Sequence, residues 1–151
     1  MNRITKVGNV VHRPKLKATQ QIHRFLKYLH SVGFNGAPIP LGLRGDTEVV
    51  SYIEGDVIGD LINHPLSSVV TSTQVLRSAA RLLRSYHDAS VPYVLSGNYN
   101  NELWQLPPCL LPFEVMCHGD FAPYNVVIKD KMAVGIIDFD TCHPDPRARR
   151  I

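Results

Sequence analysis

The stretch that most constrains the fold is "CHGDFAPYNVVIKDKMAVGIIDFD", residues 117 to 140. Two apolar, β-branched runs flank a charged break at Lys129 to Lys131, the pattern of a β-hairpin. Pairing residues 124–128 with 133–138 brings Asn125 and Asp138 to the same end of the ribbon, beside the loop that holds Asp120. A chain of 151 residues has room for one ordinary domain or two small lobes.

Upstream, "RITKVGNVVHRP" places β-branched residues on both sides of Gly8-Asn9, which predicts two strands ended by Pro14, a residue with no N–H to donate. From Thr19 to Val32, Ile22, Phe25, Leu26, Leu29 and Val32 recur at helical spacing, and Gly33 is placed to end the helix. "NGAPIPLGLRGD" reads as a loop or irregular strand, "TEVVSYI" as a strand, and Gly55 to Asn63 as at most a helical turn. Thr71 or Ser72 is suited to cap a second helix whose apolar face is Val75, Leu76, Ala79, Leu82, Leu83 and Tyr86. Prolines and a lone Trp104 predict loop with at most a helical turn over residues 89 to 112.

Charge is unevenly spread. Residues 1 to 45 carry eight Lys or Arg and no acid, whereas the rest carries eight bases against thirteen acids. The basic part suits a polyanion, nucleotide phosphate included. Only Phe25, Tyr28 and Phe34 interleave with those charges, too few stacking surfaces for a nucleic-acid module. Three cysteines fit a reducing compartment better than a disulfide framework, and no run approaches the roughly 20 apolar residues of a bilayer span. The expectation is a soluble, cytoplasmic protein with no membrane partner. Cys117-His118 and Cys142-His143, with Cys109, lack the spacing of a structural zinc site, and adjacent residues on an extended chain point to opposite faces.

The chemistry follows from order and spacing. Kinase-type catalytic loops have the form H-R-D-x-x-x-x-N, in which the Asp takes the acceptor hydroxyl's proton and the Asn holds Mg²⁺; a later D-F-G supplies a second metal-binding acid. His118-Gly119-Asp120, Asn125 and Asp138-Phe139 reproduce that order, with Gly119 in place of Arg and Asp140 in place of Gly. An amide oxygen and a carboxylate are hard ligands of the kind Mg²⁺ prefers, so Asn125 and Asp138 suit the metal and Asp140 its surroundings. His118 is expected to shape the turn instead of reacting.

"CHGDFAPYNVVIKDKMAVGIIDFDTCHPDPR" resembles the signature region of the aminoglycoside phosphotransferase and choline-kinase-like phosphotransferases. The similarity continues through "NRITKVGNVVHRP", "FLKYLHSVGFNGAP", "EVVSYIEGDV" and "LLRSYHDAS". It implies a protein-kinase-like bilobal α/β (α+β) fold: an N-lobe of antiparallel strands plus a helix over 1–55, and a partial helical C-lobe with the catalytic-loop hairpin over 56–151. It also implies ATP with Mg²⁺, Asp120 as base, Asn125 and Asp138 as metal ligands, adenine against the backbone of Ser51, Tyr52 and Ile53, and a small-molecule hydroxyl as acceptor. Arg13 is the candidate phosphate-gripping cation. The family's helix Glu for that cation has no counterpart, because Thr19 to Val32 contains no acid. The chain reads as shortened at both ends relative to the family. That leaves a nucleotide-binding remnant without turnover as the alternative, and C-lobe surface that could drive oligomerisation.

Overall fold

The computed structural model describes residues 3–57, 72–99, 103–106 and 111–148. Strands β1 (Thr5–Val7), β2 (Val10–Pro14), β3 (Pro40–Arg44) and β4 (Thr47–Ser51) form one antiparallel sheet in the order β1-β2-β4-β3. The Gly8-Asn9 turn forms as the sequence predicts, with Gly8 at φ +60°. "PLGLR" is a strand, irregular at Pro40/Gly42, where its register against β4 shifts. Between β2 and β3 lies helix α1 (Thr19–Ser31). It ends with the Gly33 N–H on the His30 carbonyl and the Phe34 N–H on Leu29, the paired bonds of a glycine-terminated helix.

Helix α2 (Thr73–Leu95) starts where Ser72 Oγ accepts the Val75 N–H at 3.2 Å, so Ser72 is the cap. The helix runs well beyond the loop expected from residue 89, straight through Pro92. Proline removes one helical hydrogen bond, but Ser90, Tyr93 and Val94 are buried, and that burial outweighs the lost bond. The capping alternative Thr71, the possible turn after Val57 and Cys109 lie outside the described residues.

Two short ribbons lie against α2. Strands β6 (Val126–Lys129) and β7 (Met132–Ile136) form the predicted hairpin, with Asp130 and Lys131 both at positive φ, as a two-residue primed turn requires. Strand β5 (Val115–Cys117) pairs with β8 (His143–Asp145), a strand too short to show a period in sequence. Two serines of α2 tie it to both ribbons. Ser78 Oγ accepts the Ala133 N–H of β7 at 2.8 Å and Ser90 Oγ accepts the Met116 N–H of β5 at 3.0 Å, while each hydroxyl donates to the carbonyl three residues back.

One apolar core joins the two ends of the chain. Phe25 and Leu29 of α1 are fully buried together with Tyr86 of α2, Met116 and Ile136, and Tyr93 of α2 is buried beside them. Burying a side chain such as Phe25 contributes about 2–3 kcal/mol. Val32 and Leu76, assigned to core faces by periodicity, are instead exposed at the edges of their helices. The chain passes from the sheet to the ribbons at Gly55, where Asp56 and Ile128 exchange backbone hydrogen bonds of 2.8 and 2.9 Å. A Cβ on Gly55 would lie 2.6 Å from a Val127 methyl and 2.7 Å from the Ile128 carbonyl oxygen, so only glycine permits that approach. Among the described residues no helix is long and apolar enough to cross a membrane.

Candidate active site

A cleft of about 490 Å³ opens between the sheet and the β6–β7 ribbon. Its walls are largely apolar, with Val11 and Val50 from the sheet and Val127 from the ribbon. Its polar end gathers Arg13, Asn125, Asp138 and Asp140. Ser51, Tyr52 and Ile53 line the cleft as well, so six of the seven residues singled out in sequence converge on it.

The seventh, Asp120, sits in the adjoining loop and is bonded to the cleft through Asn125. The Asn125 amide donates to the Asp120 carbonyl at 2.9 Å and to its carboxylate at 3.1 Å. Both N–H groups are thereby used, which leaves the amide oxygen as the group Asn125 offers to a cation. The other carboxylate oxygen accepts the Tyr124 hydroxyl at 2.7 Å, and this bond raises the Tyr124 pKa.

His118 explains why the loop holds its shape. Nε2 lies 2.9 Å from the Ile137 carbonyl and must donate, while Nδ1 accepts the Asp120 N–H at 3.3 Å. Burial lowers its pKa, which favours the neutral ring these bonds require. Both ring nitrogens are occupied, so His118 positions Asp120 and has no lone pair left to act as a base. Gly119, at φ +84°, is required as well: a Cβ there would stand 2.4 Å from the Thr141 carbonyl oxygen. An Arg at this place in the motif could not be accommodated.

Asp138 ends the ribbon in a left-handed conformation, φ 62° and ψ 64°. Such a backbone costs a non-glycine residue about 1–2 kcal/mol and is held only by its surroundings. Its carboxylate accepts from Arg13 Nη1 at 3.2 Å, and Asp140 accepts from Nη2 of the same guanidinium. Burial, reinforced by Asp138 and opposed by Arg13, pushes the Asp140 pKa up to about 6.

Arg13 has an acidic partner, on a strand and not on the acid-free helix. Its Nε lies 2.8 Å from a carboxylate oxygen of Glu48, directly opposite it across the β2–β4 pair. The other Glu48 oxygen lies 2.7 Å from Nε2 of His23, on α1. Glu48 and His23 are 5% and 6% exposed, so a buried chain His23–Glu48–Arg13 crosses from helix to cleft. Burial opposes the Arg13 charge, but Asp140, Glu48 and Asp138 outweigh it and raise its pKa. The signal that could have found Glu48 was present: an opposite charge facing Arg13 on the next strand.

At the other end of the cleft, two of the three backbone segments expected to meet adenine are already engaged as donors. The Ser51 N–H bonds the Ile39 carbonyl and the Tyr52 N–H bonds the Asn9 carbonyl, each at 2.8 Å. Among the described residues nothing accepts the Ile53 N–H. No cluster of three His, Cys, Asp or Glu suited to a metal is found among the described residues. Cys117 donates to the Pro146 carbonyl, and burial pushes the Cys142 thiol pKa well above its ordinary value.

The fold is that of the protein-kinase-like phosphotransferases. In a ternary complex of streptomycin, ATP and the aminoglycoside phosphotransferase APH(2")-IIa, the superposition covers 97% of this chain and 69% of that one, with a TM-score of 0.59 at 13% identity. For a choline/ethanolamine kinase family protein from Mesorhizobium loti the coverage is 97% and 57%, with a TM-score of 0.59 at 15% identity. Residues 97–149 match the family model described as "Phosphotransferase enzyme family". The resemblance seen in the signature region is thus borne out, in sequence over that segment and in fold over most of the chain. The trifolitoxin immunity protein of Rhizobium leguminosarum bv. trifolii is 27% identical over 144 residues, 93% of this chain. This chain spans about half, 52%, of the length of that relative.

Proposed function

We propose that the cleft binds ATP and that the chain serves transfer of the γ-phosphate to a hydroxyl of a small molecule. The observation that carries this reading is the make-up of one cleft: largely apolar walls with Lys6 over the Tyr52 ring, and a charged cluster of Arg13, Asn125, Asp138 and Asp140. In this reading the apolar walls take the base, and Arg13 binds phosphate oxygens through its planar fork. The donor set of one amide oxygen and nearby carboxylates fits Mg²⁺, which takes few protein ligands and completes its shell from water and phosphate. Asn125 and Asp138 would hold the ion, with Asp140 in support; when bound, it neutralises charge on the phosphate oxygens.

Asp120 would orient the acceptor hydroxyl and take its proton as the phosphate is attacked. The Tyr124 hydroxyl now occupies that carboxylate oxygen and would have to yield it to the acceptor. Residues 1–55 supply the sheet side of the site in this scheme and 56–151 the loop side. The same engagement of both Asp120 oxygens favours a second reading, nucleotide binding without turnover.

Thermal unfolding with and without ATP and Mg²⁺ tests the first step. A ligand at 100 times its dissociation constant stabilises by about 2.7 kcal/mol, an easily measured shift of midpoint. A shift that requires both ATP and Mg²⁺ supports the reading, and its absence at saturating ligand sinks it. ADP release dependent on an added hydroxyl compound separates transfer from binding alone.

A further inference from the structure

The family resemblance leads one to expect an acid on α1 holding the phosphate-gripping cation, and this chain has none. The structure instead has Glu48 on strand β4 in ion-pair contact with Arg13, and His23 on α1 in contact with the far oxygen of Glu48. We infer that Glu48 and His23 are positioning residues that jointly fix the Arg13 fork toward the cleft, with Glu48 doing from the sheet what a helix acid would otherwise do and His23 anchoring Glu48 from the helix. The inference rests on the ATP reading above and adds the device that aims its cation.

The geometry makes each link necessary. An Arg side chain has several free torsions, and fixing its Nε–H on Glu48 removes most of that freedom while leaving both terminal nitrogens directed at Asp138 and Asp140. Glu48 is itself a buried acid, which must be paired or hydrogen-bonded on both oxygens to remain in place. Arg13 satisfies one oxygen and His23 the other. Without His23 the carboxylate has one partner and is free to turn, and Arg13 turns with it. The chain also joins helix to cleft, since His23 lies between the core residues Ile22 and Phe25. Any displacement of α1 would be felt at the phosphate end of the cleft.

The test compares binding of ATP with Mg²⁺ and of adenosine to the full chain and to Arg13→Ala, His23→Ala, His23→Gln and Glu48→Gln. Adenosine lacks the phosphates that Arg13 would hold. The expected result for His23→Ala is an ATP affinity lower by about fivefold, the size of one lost hydrogen bond, with adenosine affinity unchanged. His23→Gln, which restores an N–H near the same place, should recover most of the loss. A fifth variant, Glu48→Ala, removes both oxygens, and in it the further change His23→Ala should cost nothing more. Protection of the Arg13 Nε–H from solvent exchange, read by NMR without nucleotide, should fall in His23→Ala and recover in His23→Gln.

Equal loss of ATP and adenosine affinity in His23→Ala, or no loss in either His23→Ala or Glu48→Gln while Arg13→Ala weakens ATP, overturns the inference and leaves the ATP reading standing. Failure of the unaltered chain to bind ATP overturns that reading, and the role proposed for His23 with it. Should His23→Ala not fold, His23→Gln and Glu48→Gln carry the comparison, with the same outcomes deciding.

Discussion

The two sides of the cleft are assembled in opposite ways. On the loop side, His118, Asp120, Asn125, Asp138 and Asp140 fall within one continuous stretch, and their geometry is set by a turn, a hairpin and their own backbone. On the cation side, Arg13, His23 and Glu48 come from two strands and a helix, and meet only once the sheet has paired and α1 has docked. The first is a local device whose integrity depends on backbone conformation. The second depends on tertiary packing, so the two sides should fail differently.

The largest expected effect is on the loop side. Asp120→Ala should lower turnover by roughly 10²-fold or more, the scale of a positioned base, while leaving ATP affinity within error. Steady-state kinetics beside a binding isotherm would show it, and an equal loss of affinity would erase the distinction drawn between the two sides. Gly119→Ala comes next, because the new methyl meets the Thr141 backbone at 2.4 Å in a left-handed region. A loss of about 3 kcal/mol is expected from strain and overpacking. A denaturant midpoint indistinguishable from that of the unaltered chain would mean that the loop is less constrained than its hydrogen bonds imply.

Ser90→Ala should cost about 2 kcal/mol, since it orphans the buried Met116 N–H. Hydrogen exchange sharpens the contrast: protection should fall in β5 and β8 first and persist in β2 and β4. The smallest effect concerns acid. Burial, with Arg147 and Arg84 adding to it against the opposing pull of Asp88, lowers the His87 pKa to about 4. A histidine kept neutral in the fold contributes stability that is present above its unfolded pKa of about 6.5 and is lost as pH falls through 4. A shift of this size corresponds to about 3 kcal/mol, which solvent screening of a ring that is not fully enclosed reduces to on the order of 1–2 kcal/mol across that window. His87→Gln should flatten this part of the pH profile, and an unchanged profile would assign the acid sensitivity elsewhere.

What was legible in the sequence follows the same division. The β6–β7 hairpin, helix α1 and strand β4 are written in local pattern and turn chemistry, and so are the residues of the loop side. The extension of α2 through Pro92 is not, because a local rule against proline yields to the burial of Tyr93 and Val94. Strand β8 is three residues long and gains its identity from β5. The partner of Arg13 is not on the helix but faces Arg13 across the sheet. Glu48 lay in a strand that the sequence already marked, and reading charge across strands would have joined them. Of the three backbone positions proposed for adenine, two are spent on carbonyls just outside neighbouring strands, those of Ile39 and Asn9, which no reading of residue types could reveal.

The two serines of α2 carry a consequence of a different kind. Ser78 and Ser90 are twelve positions apart, so the rise of the helix separates their hydroxyls by about 18 Å. Each receives one strand N–H, from β7 and from β5. The helix thus acts as a ruler with two marks, and the spacing between the ribbons is copied from it. Inserting a single residue between the marks would lengthen the ruler by about 1.5 Å and turn one mark by about 100°. One ribbon would then lose its bond whichever way the helix settled, and the Asp120 loop, which lies between β5 and β6, would be pulled out of register with the cleft.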